Sequence, residues 1–275
     1  MSHRLRDAVT LVTGASSGIG RELARLLAPT SRILVLVARR AERLEALAGE
    51  LRAAHPGLDV DVRPCDLSDM DDLDILADEV ESTHGGVDVL VNNAGLGQIG
   101  LFEDSDIDQL DRMLQVNIVG LTRLTRRLVP GMVERRRGAV LMVSSGFGLT
   151  WMPLFSAYVG TKHYVTAFSE SLRAELSGTG VVITQLCPGP VATEFEQIAG
   201  NPTGQAVPAF VQLDAAACAR AGIRALERGQ ALVIPGFFAR LAILTGAASP
   251  RWVLRVLYAV GGRMMRRRLT GRDEG

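Results

Sequence analysis

The sequence predicts a doubly wound α/β domain with a parallel sheet, on three observations. Apolar and amphipathic segments alternate through the first two-thirds of the chain. The apolar segments are rich in Val, Leu and Ile with little alternation, as in strands covered on both faces. A glycine turn, Gly14-x-x-x-Gly18-x-Gly20, follows the first of them and opens an amphipathic stretch.

The elements follow in order. Residues 8–13 (Ala-Val-Thr-Leu-Val-Thr) read as the first strand, and 19–28 as the helix behind the glycines. Residues 33–38 form a second apolar run, and 41–54 space their leucines at helical intervals. A third strand is expected at 59–64, followed by a helix at 69–83. Further strands fall at 87–92, 138–143, 181–186 and 232–234, making about seven, with helices at 106–136, 157–177 and 214–228 between them. No repeat or linker divides residues 1–235, which read as one domain with a substrate lid at 194–213; residues 236–275 form a C-terminal extension. In such a sheet, ligands belong at the carboxyl ends of the strands.

Composition narrows the partners. Thirty basic residues balance thirty acidic ones, so nothing global points to nucleic acid. Cys65, Cys187 and Cys218 are far apart and lack metal-site spacing; they read as reduced thiols, with no metal expected. No apolar leader precedes the first strand and no run of eighteen apolar residues appears, so a cytoplasmic protein without a spanning helix is expected.

The glycine turn lets the backbone approach a dinucleotide pyrophosphate, and the helix N-terminus behind it supplies N–H groups. A tight strand–helix turn without ligand is the plain alternative. The second strand ends Val37-Ala38-Arg39-Arg40, and no acid follows until Glu42. An acid there would suit the ribose hydroxyl of NAD; an arginine suits the 2′-phosphate of NADP, so NADP(H) is expected. Asp66 either bonds the adenine amino group or caps the next helix.

Ser145, Tyr158 and Lys162 carry the chemistry. Tyr158 and Lys162 share a helix face at i,i+4, and Ser145 lies thirteen residues before the tyrosine. A phenol titrates near ~10, and a neighbouring ammonium favours its charged form. Lys162 is therefore expected to lower the tyrosine toward the working pH of an acid–base catalyst. A core tyrosine beside a solvated lysine is the bland alternative. His163 would point off this face.

These residues resemble the short-chain dehydrogenase/reductase family, a Rossmann-type fold. The likeness covers roughly residues 8–235 and includes Thr13–Gly20, Asp66, Asn92-Asn93-Ala94-Gly95, Asn117, Ser144-Ser145, Tyr158-x-x-x-Lys162 and Pro188-Gly189-Pro-Val-Ala-Thr193. The resemblance implies a proton-donating Tyr158, a substrate-polarising Ser145, a ribose-binding Lys162 and an Asn117 that holds a water in a proton relay. It also implies cofactor contacts from Gly14, Ser16, Ser17, Gly18, Ile19, Gly20, Arg39, Asp66, Leu67, Asn93, Ala94, Gly95, Tyr158, Lys162, Pro188, Gly189, Val191 and Thr193. A dimer or tetramer built on the helices at 106–136 and 157–177 is implied as well. Enoyl reductases of this superfamily space tyrosine and lysine more widely, and the extended epimerases carry a larger C-terminal domain.

Phe195, Ile198, Ala199, Pro202, Val207, Pro208, Phe210 and Val211 make the lid apolar, as do Trp151 to Phe155 ahead of Tyr158. Glu194 and Glu196 are expected to face solvent. An apolar carbonyl substrate follows, unless these residues only pack the lid. The extension has eight arginines and no acid between Gly236 and Arg272, with Val253, Val256, Leu257, Val260 and Met264 at helical spacing after Ser249-Pro250. Such a basic helix either lies on an anionic membrane or docks on protein. The tail, with Val62–Leu67, Pro130–Glu134 and Phe168–Arg173, resembles a bacterial subgroup that includes the mycobacterial mycolate reductase, which acts on a long branched 3-oxoacyl chain. The expected function is NADP(H)-dependent reduction of a ketone on an apolar or acyl-chain substrate. An alcohol or steroid dehydrogenase running oxidatively is the second reading; a non-enzymatic NADP sensor or membrane adaptor is the third, and would have little use for the full catalytic set.

Overall fold

The computed structural model describes residues 5–195, 199–200 and 212–271 of the chain. Seven strands form one parallel sheet in the order β3-β2-β1-β4-β5-β6-β7. They are β1 (Ala8–Thr13), β2 (Ser31–Ala38), β3 (Asp59–Pro64), β4 (Val89–Asn92), β5 (Gly138–Val143), β6 (Val181–Leu186) and β7 (Leu232–Val233). The chain runs outward from β1 to β3, then crosses back to β4, so the order reverses between β1 and β4. That reversal opens a crevice at the strand ends.

The helices cover both faces: α1 (Gly18–Leu27), α2 (Ala41–Ala54), α3 (Met70–His84), α4 (Ile107–Leu114), α5 (Leu121–Glu134), α6 (Ser156–Glu175) and α7 (Ala215–Glu227). Two large apolar clusters result. Leu23, Leu44, Leu51, Leu141 and Ile223 lie on one side of the sheet; Leu73, Leu90, Leu124, Met132 and Ile183 lie on the other. β1, β4 and β5 are buried at every residue, in keeping with their largely apolar sequences.

Three of the differences from the expected bounds have a visible cause or consequence. β2 starts at Ser31, two residues early, where the Ser31 and Thr10 hydroxyls meet at 2.7 Å. β4 starts two residues late because the Asp88 carboxylate accepts from Val9 N at 3.0 Å, tying the entry of β4 to β1. The helix expected over 106–136 is interrupted by a π-helical turn at Gln115–Gly120, which separates α4 from α5 and contains Asn117. At Gly120 an added Cβ would lie 2.3 Å from Leu67 O, so this turn closes directly onto the loop after β3. Single π turns of this kind mark functional sites in many helices.

The extension is a helical pair, α8 (Phe237–Ala248) and α9 (Arg251–Thr270). α9 starts behind Ser249-Pro250 as its sequence predicts; α8 was not anticipated. Ile243 and Leu254 anchor the pair in buried positions, and Arg266 pairs with Glu103 at 2.5 Å. Trp151, expected near the pocket, instead packs on Tyr258 of α9 with ring centres 6.0 Å apart.

Candidate active site

A cleft of about 1040 Å³ runs along the carboxyl ends of the strands, from Arg39 and Asp66 at one end to Phe238 and Met265 at the other. Its floor is the glycine turn. Gly14 has φ +67, which a side chain disfavours, and a Cβ at Gly20 would stand 2.3 Å from both Gly14 O and Asn93 Nδ2. The reason is a clamp: Asn93 Nδ2 donates to Thr13 O at 2.9 Å and Gly14 O at 3.3 Å. Thr13 Oγ1 in turn accepts from the amides of Asn93 and Ala94. The turn after β1 and the loop after β4 are thus one unit. No side chain caps α1, whose N-cap is Ser17. Its first-turn amides therefore face the cleft as an anion site.

The end of the cleft at Arg39 and Asp66 holds a charged cluster that differs from expectation. Arg39 lines the cleft and is exposed, without an ion pair among the described residues. Arg40 is the arginine that reaches the glycine turn, donating to Ser16 Oγ at 3.0 Å and Ser17 Oγ at 2.8 Å. Glu194 does not stand free in solvent: its carboxylate accepts from Arg43 Nη1 at 2.8 Å and Arg40 Nη1 at 3.0 Å. Those bonds, the one from Arg43 foremost, hold its carboxyl below the usual range. Glu196 lies outside the described residues. Asp66 accepts from the Ser68 amide and hydroxyl and pairs with Arg112; the N-cap of α3 is Asp69 instead. Burial pushes the Asp66 carboxyl up, but the Ser68 and Arg112 bonds outweigh it and hold it low. Asp66 and Leu67 both line the cleft.

Ser145, Tyr158 and Lys162 converge at the middle of the cleft. Ser145 leaves the end of β5 and N-caps a short 3₁₀ turn, accepting from Phe147 N at 3.2 Å. The phenol of Tyr158 enters from the first turn of α6 and lies near enough to the Ser145 hydroxyl to be influenced by it. Lys162 follows one turn later, with Nζ 5.7 Å from the Tyr158 ring centre and donating to Val143 O at 3.0 Å. Both side chains are buried. The expectation that Lys162 lowers the tyrosine is not met. Burial pushes the Tyr158 phenol up to about 12 against a small opposing effect of Ser145, and it pushes the Lys162 ammonium down to about 8. The ammonium is turned to the Val143 carbonyl rather than to the phenol oxygen, so desolvation dominates both groups.

Asn117 sits behind this trio. Its amide donates to Leu96 O at 2.9 Å and Thr161 Oγ1 at 3.0 Å, and its Oδ1 accepts from Leu96 N at 2.9 Å. Both amide hydrogens are taken, so the side chain ties the loop after β4 to α6. At Gly95 a Cβ would meet Asn117 Oδ1 at 3.3 Å and Lys162 Nζ at 3.5 Å. Pro188, Gly189, Val191 and Thr193 follow β6 and form the facing wall. Gly18 abuts that wall, since its Cβ would meet Thr193 Cγ2 at 3.1 Å. His163 contacts the Val159 carbonyl, away from the trio.

Beyond Tyr158 the cleft turns apolar. Phe195 packs on the Tyr158 ring at 5.3 Å, Phe147 at 6.3 Å, and Phe155 on Phe147 at 4.8 Å. Met152, Leu154, Phe238, Ile243 and Met265 continue this wall. The extension therefore roofs one end of the cleft, which its sequence did not reveal. The lid positions Ile198, Pro202, Val207, Pro208, Phe210 and Val211 lie outside the described residues.

An apolar chamber, a Ser-Tyr-Lys trio whose tyrosine and lysine are buried, and a glycine turn open to an anion share one crevice, the arrangement of a Rossmann-type oxidoreductase. The short chain dehydrogenase family model matches residues 8–202, and the chain belongs to that family. It is 40% identical over 196 residues to dehydrogenase/reductase SDR family member 7B of Bos taurus, covering 70% of this chain and 60% of the relative. It is 32% identical over 195 residues to a very-long-chain 3-oxoacyl-CoA reductase of Anas platyrhynchos, covering 70% and 62%. The chain thus spans about 60% of the length of these curated relatives. A short-chain dehydrogenase of Sphingobium yanoikuyae, solved in complex with NADPH, superposes with a TM-score of 0.76 at 31% identity, covering 90% of this chain and 95% of that one. The family model and these likenesses mark the chain as a short-chain dehydrogenase/reductase.

Proposed function

We propose that this chain is an NADP(H)-dependent reductase that converts a ketone on an apolar, acyl-chain substrate into a secondary alcohol. The observation that carries the reading is the trio, with Tyr158 and Lys162 buried, at the junction between the polar and apolar halves of one cleft. The residues fit the cofactor by their chemistry. The α1 amides with Gly14, Ser16, Ser17, Gly18, Ile19 and Gly20 would hold the pyrophosphate. Arg39 and Arg40 would hold a 2′-phosphate, and Asn93–Gly95, Lys162 and the 188–193 wall the nicotinamide riboside. When bound, the cofactor supplies the hydride.

The protein supplies the proton. A phenol pushed up to about 12 is protonated at neutral pH, so Tyr158 is set to donate to a carbonyl oxygen. Ser145 donates a hydrogen bond to the same oxygen as negative charge develops there. The Lys162 ammonium then stabilises the phenolate left behind, across a site too buried for water to screen it. Oxidation in the reverse direction needs the phenolate first, so the alcohol or steroid dehydrogenase reading calls for a higher working pH. Asn117 acts by holding the loop that carries Gly95; a relay water would have one free Oδ1 lone pair to use. A long-chain 3-oxoacyl group suits the aromatic and aliphatic chamber. The names of the Anas relative and of the mycolate reductase subgroup support that choice.

The test is Tyr158→Phe, with turnover expected to fall at least about 10³-fold on loss of the proton donor while NADPH binding is kept. Near-normal turnover would refute the assignment. The outer face of α8 and α9 supports peripheral contact with an anionic membrane. Phe237, Leu241, Trp252, Val256 and Val260 are all at least half exposed there, among arginines with no acid. No helix among the described residues is long and apolar enough to cross a membrane.

A further inference from the structure

The cluster of Ser16, Ser17, Arg40, Arg43 and Glu194 is used only in part by the mechanism above. Its components come from three places: the glycine turn, the start of α2, and the segment after β6. Arg40 spends Nε and Nη2 on the serines of the phosphate-binding turn and Nη1 on Glu194. Arg43, one turn later on α2, gives both contacts of its Nη1 to the same carboxylate. Glu194 is therefore a built-in counter-anion, bound to Arg40, which reaches the turn that would receive the adenosine phosphates, and to Arg43 beside it.

A carboxylate in that position has opposite consequences for the two nicotinamide cofactors. A 2′-phosphate carries close to two negative charges and three acceptor oxygens, and it seeks the same guanidinium donors. It must take Arg40 from Glu194 or accept the repulsion of a carboxylate beside it. The free ribose hydroxyl of NAD(H) carries no charge and needs no such exchange. Arg39 has no ion pair among the described residues, so it is available to the phosphate from the outset.

We infer that Glu194 sets the degree of cofactor discrimination in this chain by competing with the 2′-phosphate for Arg40 and Arg43. The inference rests on the NADP(H) reading and adds a residue that moderates it. All three side chains are more than a third exposed, so each pair is weak and salt-screened. The competition is therefore a matter of several-fold affinity and does not switch cofactor.

The experiment is calorimetric titration of the purified chain with NADPH and with NADH, in the wild type, Glu194→Gln and Glu103→Gln. Glu103 faces Arg266 in a remote ion pair and serves as the control. Glu194→Gln is expected to tighten NADPH about three- to tenfold, with NADH within twofold, and the gain shrinks at high salt. Glu103→Gln is expected to leave both affinities unchanged. Unchanged NADPH affinity in Glu194→Gln overturns the inference. Weaker NADPH affinity also overturns it, and makes Glu194 a positioning residue for Arg40. A wild-type chain that binds NADH more tightly than NADPH fails the cofactor reading itself, before any variant is made.

Discussion

Tyr158 and Lys162 show how much a single pair of residues decides. Their spacing and their helix were plain in the sequence, because i,i+4 on a helix is a local fact. Their electrostatics were not. Whether an ammonium or burial prevails depends on where Nζ points, and it points at Val143 O. The pH dependence follows. Tyr158 keeps its proton to about 12, so the first group to titrate is Lys162, charged below about 8. Loss of that charge removes the partner of the forming phenolate. The reduction rate is expected to be level below about pH 8 and to fall as pH rises through it, measured as kcat at saturating cofactor and substrate. A reduction rate that climbs across the same range would contradict this. Glu194 marks the other limit of legibility. It was assigned to solvent because its partners Arg40 and Arg43 lie 154 and 151 residues away, and nothing local announces them.

At the scale of elements, the alternation of strands and helices was legible because each apolar run is bounded by turn or cap residues. Asp69, Asp106 and Asp214 cap α3, α4 and α7 with their side chains. The π turn at Gln115–Gly120 was not legible, since the apolar spacing through it remains helical. The glycine turn was read as a phosphate cradle, yet Gly20 is also demanded by the Asn93 clamp. Gly20→Ala places a Cβ against backbone and is expected to destabilise the fold by about 1–3 kcal/mol by urea unfolding. NADPH affinity should fall with it. A variant as stable as wild type would show that the turn can move, which the clamp forbids. In the sheet, Leu90 is fully buried in β4, and Leu90→Ala is expected to cost about 2–5 kcal/mol without altering cofactor selectivity.

For the whole molecule, the crevice between β1 and β4 is where the proposed dinucleotide would lie, and the chain beyond residue 236 lines the opposite, apolar end of the cleft. The sequence showed α9 as a basic helix but not that Met265 and Arg268 reach the cleft, because docking is set by tertiary packing around Ile243 and Leu254. The outer face makes its own prediction. The protein is expected to co-sediment with phosphatidylglycerol vesicles at low salt and not with phosphatidylcholine vesicles, and Arg255→Glu with Arg263→Glu should reduce the bound fraction. Equal binding to both vesicle types would remove the electrostatic argument. The central claim is tested most directly by NADPH oxidation with 3-oxoacyl thioesters of increasing chain length, beside a steroid and a small aromatic ketone. Rates that climb with chain length are the expected result; turnover confined to compact ketones, or no NADPH oxidation with any of them, would contradict it.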